Sequence, residues 1–244
     1  MSAEAIEMKK RTHGTAGFSL VELLVGTILF TIVTGIAFSL LMSAQLRYQG
    51  ESTVTEAFQQ ANVALDQIVR DVHSAGYPPM SSLSTTVASN HPDWYALPFA
   101  WTPSYPATPC TVGATCTVPG EYDLIVEADV GTGQGVQWIR YSLQGTTLMR
   151  GMTTKVPFKD PVAETLGSLA PYLENVQNGP GNKSLPIFSY GYDCISPPPP
   201  PQPSNICKVN ITLIVQSARP DPQTGQFRTI TLTGQAARFN NPNN

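Results

Sequence analysis

Charged side chains are scarce in this chain of 244 residues, where Asp, Glu, Lys and Arg together make up 13%, about half of the usual ~25%. The fourteen basic residues are outnumbered by seventeen acidic ones, and the net charge of −3 excludes the strongly basic surface by which proteins bind nucleic acid directly. Disordered chains combine low hydrophobicity with high net charge, whereas 41% of these residues are hydrophobic. The composition therefore predicts a folded protein that does not contact nucleic acid directly.

Residue patterns of common enzymes are also lacking. The three histidines, His13, His73 and His91, are too far apart for metal-ligand spacing. The sequence has no P-loop, no Gly-x-Ser-x-Gly, no Cys-x-x-Cys and no Gly-x-Gly-x-x-Gly after a strand. We therefore expect a protein without catalytic residues, metal or cofactor, and a membrane-anchored enzyme is the disfavoured alternative.

Only one long hydrophobic run is present, residues 18–42, and Glu22 is its single charged residue. A helix of this length spans the hydrocarbon core of a bilayer. The basic residues Lys9, Lys10 and Arg11 precede the run, and the positive-inside rule then places the N-terminus in the cytoplasm. The sequence predicts a single-pass protein whose remaining residues are exported.

Cysteines are few, and all four lie in the exported portion, where disulfides are expected. Three connectivities are possible, and we favour local pairing. Cys110 would pair with Cys116 around a five-residue loop, and Cys194 with Cys207 around a proline-rich insert. The prolines of this insert, Pro197–Pro201 and Pro203, indicate a stiff surface loop rather than a ligand for an aromatic groove.

The start of the chain departs from two simpler kinds of hydrophobic segment. A secretory signal peptide has a shorter apolar region and a small-x-small cleavage site, and a plain anchor gives no reason for a carboxylate within the membrane. The residues instead resemble the leader and methylation motif of type IV prepilins and pseudopilins, on the basis of Lys9-Lys10-Arg11 followed by Gly17-Phe18-Ser19-Leu20-Val21-Glu22-Leu23-Leu24-Val25.

This resemblance implies processing and assembly. A prepilin peptidase/methylase would cleave after Gly17 and methylate Phe18, and Glu22 would pair with the N-terminal amine of a neighbouring subunit. The implied partners are the major pilin, other minor pilins, the inner-membrane assembly platform and, in some systems, a tip adhesin. The implied location is the bacterial inner membrane, with the head in the periplasm, and then the pilus on the cell surface.

The resemblance also implies an α+β, type IV pilin-like fold, in which a long N-terminal helix packs on an antiparallel β-sheet head with long loops. We predict a helix over residues 19–75, ended by Gly76 and Tyr77-Pro78-Pro79. Its second half carries a heptad-like apolar stripe that we expect to pack on the head rather than on a coiled-coil partner, consisting of Val54, Phe58, Ala61, Leu65, Ile68 and Val72.

Within this family the run Arg70-Asp71-Val72-His73-Ser74-Ala75-Gly76-Tyr77 resembles the helix end of PilW-like minor pilins. The resemblance is strong over residues 9–79, weaker over 165–240 and absent over 80–120. Minor pseudopilins of type II secretion share the leader and are the alternative. The predicted segments are a leader (1–17), a transmembrane assembly helix (18–42), an amphipathic helix (43–76), a proline- and aromatic-rich loop (77–120) and a β-sheet head (121–244).

Period-two alternation predicts six strands in the head. A first set contains a hairpin and a third strand that pairs back on it, over 122–128, 136–143 and 146–150. A second set covers 186–193, 207–217 and 228–238. Asp221 lies in the connection between the last two strands, which we interpret as a turn rather than a Ca²⁺ site, because one carboxylate supplies too few oxygen ligands.

The loop over residues 77–120, called the aromatic loop below, has eight prolines and a single charged residue before Gly120. Its rings either form a partner-binding surface, facing another pilin, a tip adhesin or a glycan as in an adhesin-like pilin, or cover one side of the sheet. We favour the covering role, because exposed rings promote aggregation. The candidate binding residues are Trp94, Tyr95, Phe99, Trp101 and Tyr105.

Overall fold

The protein is described from a computed structural model, which covers residue 17, residues 19–194 and residues 196–239. It contains helices α1 (Leu20–His73), α2 (Thr85–Asn90) and α3 (Pro161–Leu166). The strands are β1 (Asp123–Ala128), β2 (Gln137–Gln144), β3 (Thr147–Thr154), β4 (Ala170–Leu173), β5 (Phe188–Gly191), β6 (Lys208–Gln216) and β7 (Thr229–Ala237). A long apolar N-terminal helix and antiparallel sheets confirm the predicted α+β class. The chain divides into two compact units, 1–48 and 49–244.

In the second unit, α1 buries one face in the main core of the head. Ala61, Leu65, Ile68 and Val72 of the predicted stripe are buried there. The prediction for Phe58 was wrong, since its side chain is 46% exposed. Small residues, Ala57 and Ala64, occupy the buried face instead, because a helix of 3.6 residues per turn drifts away from a strict heptad.

Replacement of Ile68 by alanine tests this packing. Ile68 is fully buried, and its truncation is expected to cost about 3 kcal/mol of unfolding free energy. Val63 lies on the same helix but is mostly exposed, so Val63→Ala is expected to change stability by less than about 0.5 kcal/mol. Urea unfolding of the full chain followed by tryptophan fluorescence gives both values, and equal losses would contradict the assigned buried face.

The C-terminal end of α1 is set by Gly76, as predicted. Gly76 has a φ of +78°, the left-handed conformation that glycine adopts without strain. Its N–H donates to the carbonyl of Glu127 at 2.9 Å. The turn therefore ends the helix and ties it to β1.

The first sheet has the order β1-β2-β3-β4, and all its pairs are antiparallel. Its first three strands confirm the predicted hairpin and third strand, and β3 runs on to Thr154. The sequence did not predict β4. This edge strand has four residues, one of which is a proline, so it offers too little alternation to be recognised.

The second sheet has the order β5-β6-β7 and is also antiparallel. Its strands confirm the second predicted set, with shorter ends. The head thus contains two sheets rather than one. Val176 links them, because it forms a bridge with Val215 of β6 and its N–H donates to the carbonyl of Thr146.

Two disulfides fix the loops. Cys110 is bonded to Cys116, and Cys194 to Cys207, which confirms the local pairing. The two disulfide-bonded loops also meet, since the N–H of Val112 donates to the carbonyl of Pro201 at 2.8 Å. These contacts hold together two proline-rich surface segments that lack regular strands.

Candidate functional site

The first unit presents an apolar helical surface. Between Leu20 and Met42, every large hydrophobic side chain of α1 is at least about half exposed. Of the described residues, only α1 is long and apolar enough to cross a membrane. An apolar surface of this length needs a lipid or protein environment.

The three threonine hydroxyls on this segment are satisfied within the helix. Thr27 Oγ1 donates to the carbonyl of Leu24 at 2.9 Å, and Thr31 and Thr34 donate to carbonyls four residues earlier at 2.7 Å. In lipid, a polar group without a partner costs several kcal/mol. The segment therefore exposes no threonine hydroxyl that lacks a hydrogen bond.

Glu22 caps the N-terminus of its own helix. Ser19 Oγ accepts from the N–H of Val21 at 3.3 Å, and the N–H of Ser19 donates to Glu22 Oε2 at 3.1 Å. The Ser-x-x-Glu spacing is that of a capping box, a role of Glu22 that the sequence analysis missed. Glu22 is exposed and forms no ion pair with any described residue.

Of the other predicted processing residues, Gly17 lies within the part of the chain that the structure describes. Gly17 is exposed and lies before the helix. Phe18, Lys9, Lys10 and Arg11 lie outside the described residues.

The aromatic loop divides into buried and accessible rings. Phe99 and Trp101 are buried, and Phe99 bridges to Val126 of β1. These two rings belong to the core and are not available to a partner. Tyr95 and Tyr105 are half-buried, whereas Trp94 is 51% exposed. Of the five candidate binding residues, Trp94 is the one that offers an open surface.

A buried ion pair between Glu127 and Lys155 anchors the aromatic loop to the first sheet. Lys155 Nζ donates to Glu127 Oε2 at 2.8 Å, and both side chains are almost fully buried. The indole N–H of Trp138 donates to Glu127 Oε1 at 2.9 Å, and the N–H of Leu97 donates to Oε2 at 2.9 Å. Lys155 Nζ also donates to the carbonyl of Tyr95 at 3.1 Å. Every polar atom of the pair is therefore engaged.

Aromatic rings surround this pair. Lys155 Nζ lies 5.0 Å from the ring centroid of Tyr95 and 5.8 Å from that of Tyr105, distances at which a cation is attracted to a ring. Burial, with the negative charge of Glu127, raises the pKa of Tyr105 far above its ordinary value. The Tyr105 hydroxyl therefore stays neutral at physiological pH.

A second ionic cluster joins α1 to the first sheet. Asp71 Oδ2 accepts from Tyr141 Oη at 2.6 Å and from Arg150 Nη2 at 2.9 Å, and Oδ1 accepts from Gln67 Nε2 at 2.7 Å. Arg150 Nε also donates to Tyr141 Oη at 2.9 Å. Asp71 belongs to the Arg-Asp run near the helix end, but the sequence did not reveal its partners.

Two further carboxylates, Asp123 and Asp221, each accept hydrogen bonds from an arginine. Asp123 binds Arg140 through two hydrogen bonds, of 3.0 and 2.6 Å, and Arg140 Nη1 donates to the carbonyl of Val162 in α3 at 3.0 Å. Asp221 accepts from the N–H of Gln223 and from Arg228. These contacts lower the pKa of Asp221 and agree with the turn interpretation.

One group of described residues has metal-ligand spacing: Asp193, Cys194 and Cys207. Both cysteines are consumed by their disulfide. Asp193 forms an ion pair with Lys208 at 2.8 Å, and this contact lowers the pKa of Asp193. The group lacks the free thiolates that would bind a metal.

Comparisons with known proteins give no relative for this chain: no family model, no curated protein and no solved structure matches it.

Proposed function

We propose that this protein is a structural minor pilin, PilW-like in its helix end, which enters or primes a type IV pilus. One observation carries the proposal: a helix begins three residues after Gly17, and its exposed apolar segment, Leu20 to Met42, has a single carboxylate, Glu22, which lies in the first turn. Such a surface suits both storage in the inner membrane and packing among the helices of a filament. The proposed partners are the major pilin, other minor pilins, the assembly platform and the prepilin peptidase.

Glu22 has a defined task in this proposal. Cleavage after Gly17 would leave a cationic N-terminal amine on the next residue, and the Glu22 carboxylate of a neighbouring subunit would meet it. A buried charge that loses its partner is strongly unfavourable, so a subunit in the wrong axial position would be rejected. One carboxylate thereby fixes the register of an otherwise uniform apolar helix.

The capping box allows this task to be separated from simple helix stability. Glutamine at the same position can still cap the helix, but it has no charge with which to meet an amine. Glu51 supplies a matched control, because it is an exposed carboxylate on the same helix beyond the apolar segment.

Substitution of Glu22 in the producing cell tests the proposal. Glu22→Ala and Glu22→Gln are both expected to remove the protein from sheared surface filaments by about tenfold or more, while Glu51→Ala leaves its amount unchanged. Quantitative immunoblots of sheared and membrane fractions provide the measurement. Normal incorporation of Glu22→Gln would show that capping alone matters, and would overturn the register role.

A minor pseudopilin of a secretion system is the second candidate, since the same helix would serve a short periplasmic filament. The sheared and membrane fractions distinguish a pilin from a pseudopilin. A pilin is recovered in sheared surface material, whereas a pseudopilin remains with the cell envelope. The gene neighbourhood separates them independently, because pilus and secretion operons have different companion genes.

A further inference from the structure

An open cavity of about 420 Å³ lies where the aromatic loop meets the β1–β2 connection and the end of β3. We call it the Trp94 cavity. Its apolar wall contains Pro78, Leu83 and Trp94, and its polar rim contains Asp93, Asp129 and Gln134. Small-molecule sites typically have such volumes and combine an apolar wall with a few polar groups.

Trp94 forms a flat platform at this cavity. One face of its indole stacks on His91, with the ring centroids 4.0 Å apart and the planes 16° from parallel. The side chain is nevertheless 51% exposed. The other two tryptophans, Trp101 and Trp138, are buried, and their indole N–H groups donate to Thr108 and Glu127. Trp94 is therefore exposed in a head that buries both of its other indoles.

Hydrogen bonds fix the backbone that follows Trp94. The carbonyl of Tyr95 and the N–H of Leu97, one and three residues after Trp94, are bound by the buried Lys155–Glu127 pair. The N–H of Ala96 donates to the carbonyl of Pro78 at 2.9 Å. A surface fixed in advance loses little conformational entropy when it binds.

The rim offers acceptors without a compensating cation. Asp93 and Asp129 form no ion pair among the described residues, and Asp129 uses one oxygen to accept from the N–H of Gly131 at 2.9 Å. Lys155 also lines the cavity, but Glu127 neutralises its charge. The rim therefore carries net negative charge beside the apolar wall.

We propose that the Trp94 cavity binds an uncharged saccharide. The C–H face of a sugar ring matches an exposed indole, while its hydroxyls at the ring edge can donate to carboxylates in charge-assisted hydrogen bonds. Two uncompensated carboxylates repel nucleic acids and acidic sugars. A wholly apolar segment would bury those carboxylates without partners, at a cost. The cavity residues all belong to the unit 49–244, so they are distinct from the exposed apolar helical segment that carries the proposed assembly role.

Intrinsic fluorescence tests the proposal in the full chain, reconstituted in lipid nanodiscs so that no sugar-bearing detergent competes. Since Trp94 is the exposed indole, occupancy is expected to shift the emission to shorter wavelength. The probes are maltotriose and triacetylchitotriose as neutral saccharides, sialyllactose as an anionic one and triarginine as a cation. At least one neutral saccharide should bind at millimolar concentration, about tenfold more tightly than sialyllactose.

Saccharide binding by the variants is measured by calorimetry, because Trp94→Ala removes the indole whose fluorescence reports binding. Trp94→Ala should abolish saccharide binding and leave the urea midpoint unchanged. Phe158→Ala, at an exposed aromatic residue outside the cavity, should leave binding unchanged, and Asp93→Asn should weaken it several-fold. Absence of binding by both neutral saccharides, undiminished binding by Trp94→Ala, or binding of triarginine alone would overturn the proposal.

Discussion

Glu127→Ala is expected to destabilise the head by about 4 kcal/mol, because it leaves the Lys155 ammonium buried without its counter-charge. The same change removes the acceptor for the Trp138 indole and for the N–H of Leu97. The aromatic loop should loosen together with the sheet. Urea unfolding of the full chain, followed by tryptophan fluorescence, measures the loss, and Trp138 reports it directly from within the cluster.

Two matched variants separate the charge from general damage. Glu174 is exposed, so Glu174→Ala should leave the urea midpoint unchanged. The double variant Glu127→Met with Lys155→Met should recover much of the stability, since apolar residues often replace a buried ion pair at little cost. If Glu127→Ala unfolds at the wild-type urea midpoint, the ion pair does not anchor the aromatic loop.

Asp71→Ala is expected to cost about 3 kcal/mol, because Arg150 and the Tyr141 hydroxyl lose their shared acceptor. Tyr141 and Arg150 follow Asp71 in the sequence by 70 and 79 positions respectively. Their hydrogen bonds to Asp71 join α1 to the first sheet. The loss should therefore appear in hydrogen exchange as faster exchange around Asp71 and in β2 and β3. The hydrogen-bond partners given for this carboxylate among the described residues, Gln67, Tyr141 and Arg150, all lie outside β5–β7, so the second sheet should be less affected.

Asp71→Asn is the conservative variant for this cluster. Asparagine keeps an oxygen that can accept from Tyr141, but it loses the charge opposite Arg150. Its destabilisation should fall between those of wild type and Asp71→Ala. Asp66 is an exposed carboxylate on the same helix, and Asp66→Ala serves as the control. Equal stabilities for Asp71→Ala and Asp66→Ala would contradict the assigned anchor.

Features governed by local sequence could be predicted. The apolar run, the end of α1 at Gly76 and the strands with period-two alternation are each encoded within a few neighbouring residues. The local disulfides were also correctly paired, since each cysteine lies near its partner in the sequence. By contrast, β4 has four residues and contains Pro171, and its pairing depends on β3 rather than on its own pattern.

Features governed by distant contacts could not be predicted. Phe58 is more hydrophobic than Ala57, yet Ala57 is buried, because the sheet comes close to the helix. At Gly234 of β7, an added Cβ would lie 2.8 Å from Leu65 Cδ1. Glu127 likewise looks like any other carboxylate in sequence, since its partners Leu97 and Lys155 lie 30 and 28 positions away.

The aromatic loop illustrates the same limit. Its composition suggested either a binding surface or a cover for the sheet, and both descriptions apply to different residues. Phe99 and Trp101 cover the sheet, while Trp94 remains open beside a cavity. Composition alone could not assign individual rings, because burial depends on where each proline turn directs the chain.

The intact mass of the protein from cells that carry a prepilin peptidase tests the central proposal most directly. We expect a chain that begins at Phe18, carries one added methyl group and lacks the four thiol hydrogens consumed by two disulfides. Cells without the peptidase should retain the leader. A chain that keeps Met1 in the presence of the peptidase, or that is cut after residue 40, would contradict the assignment as a prepilin.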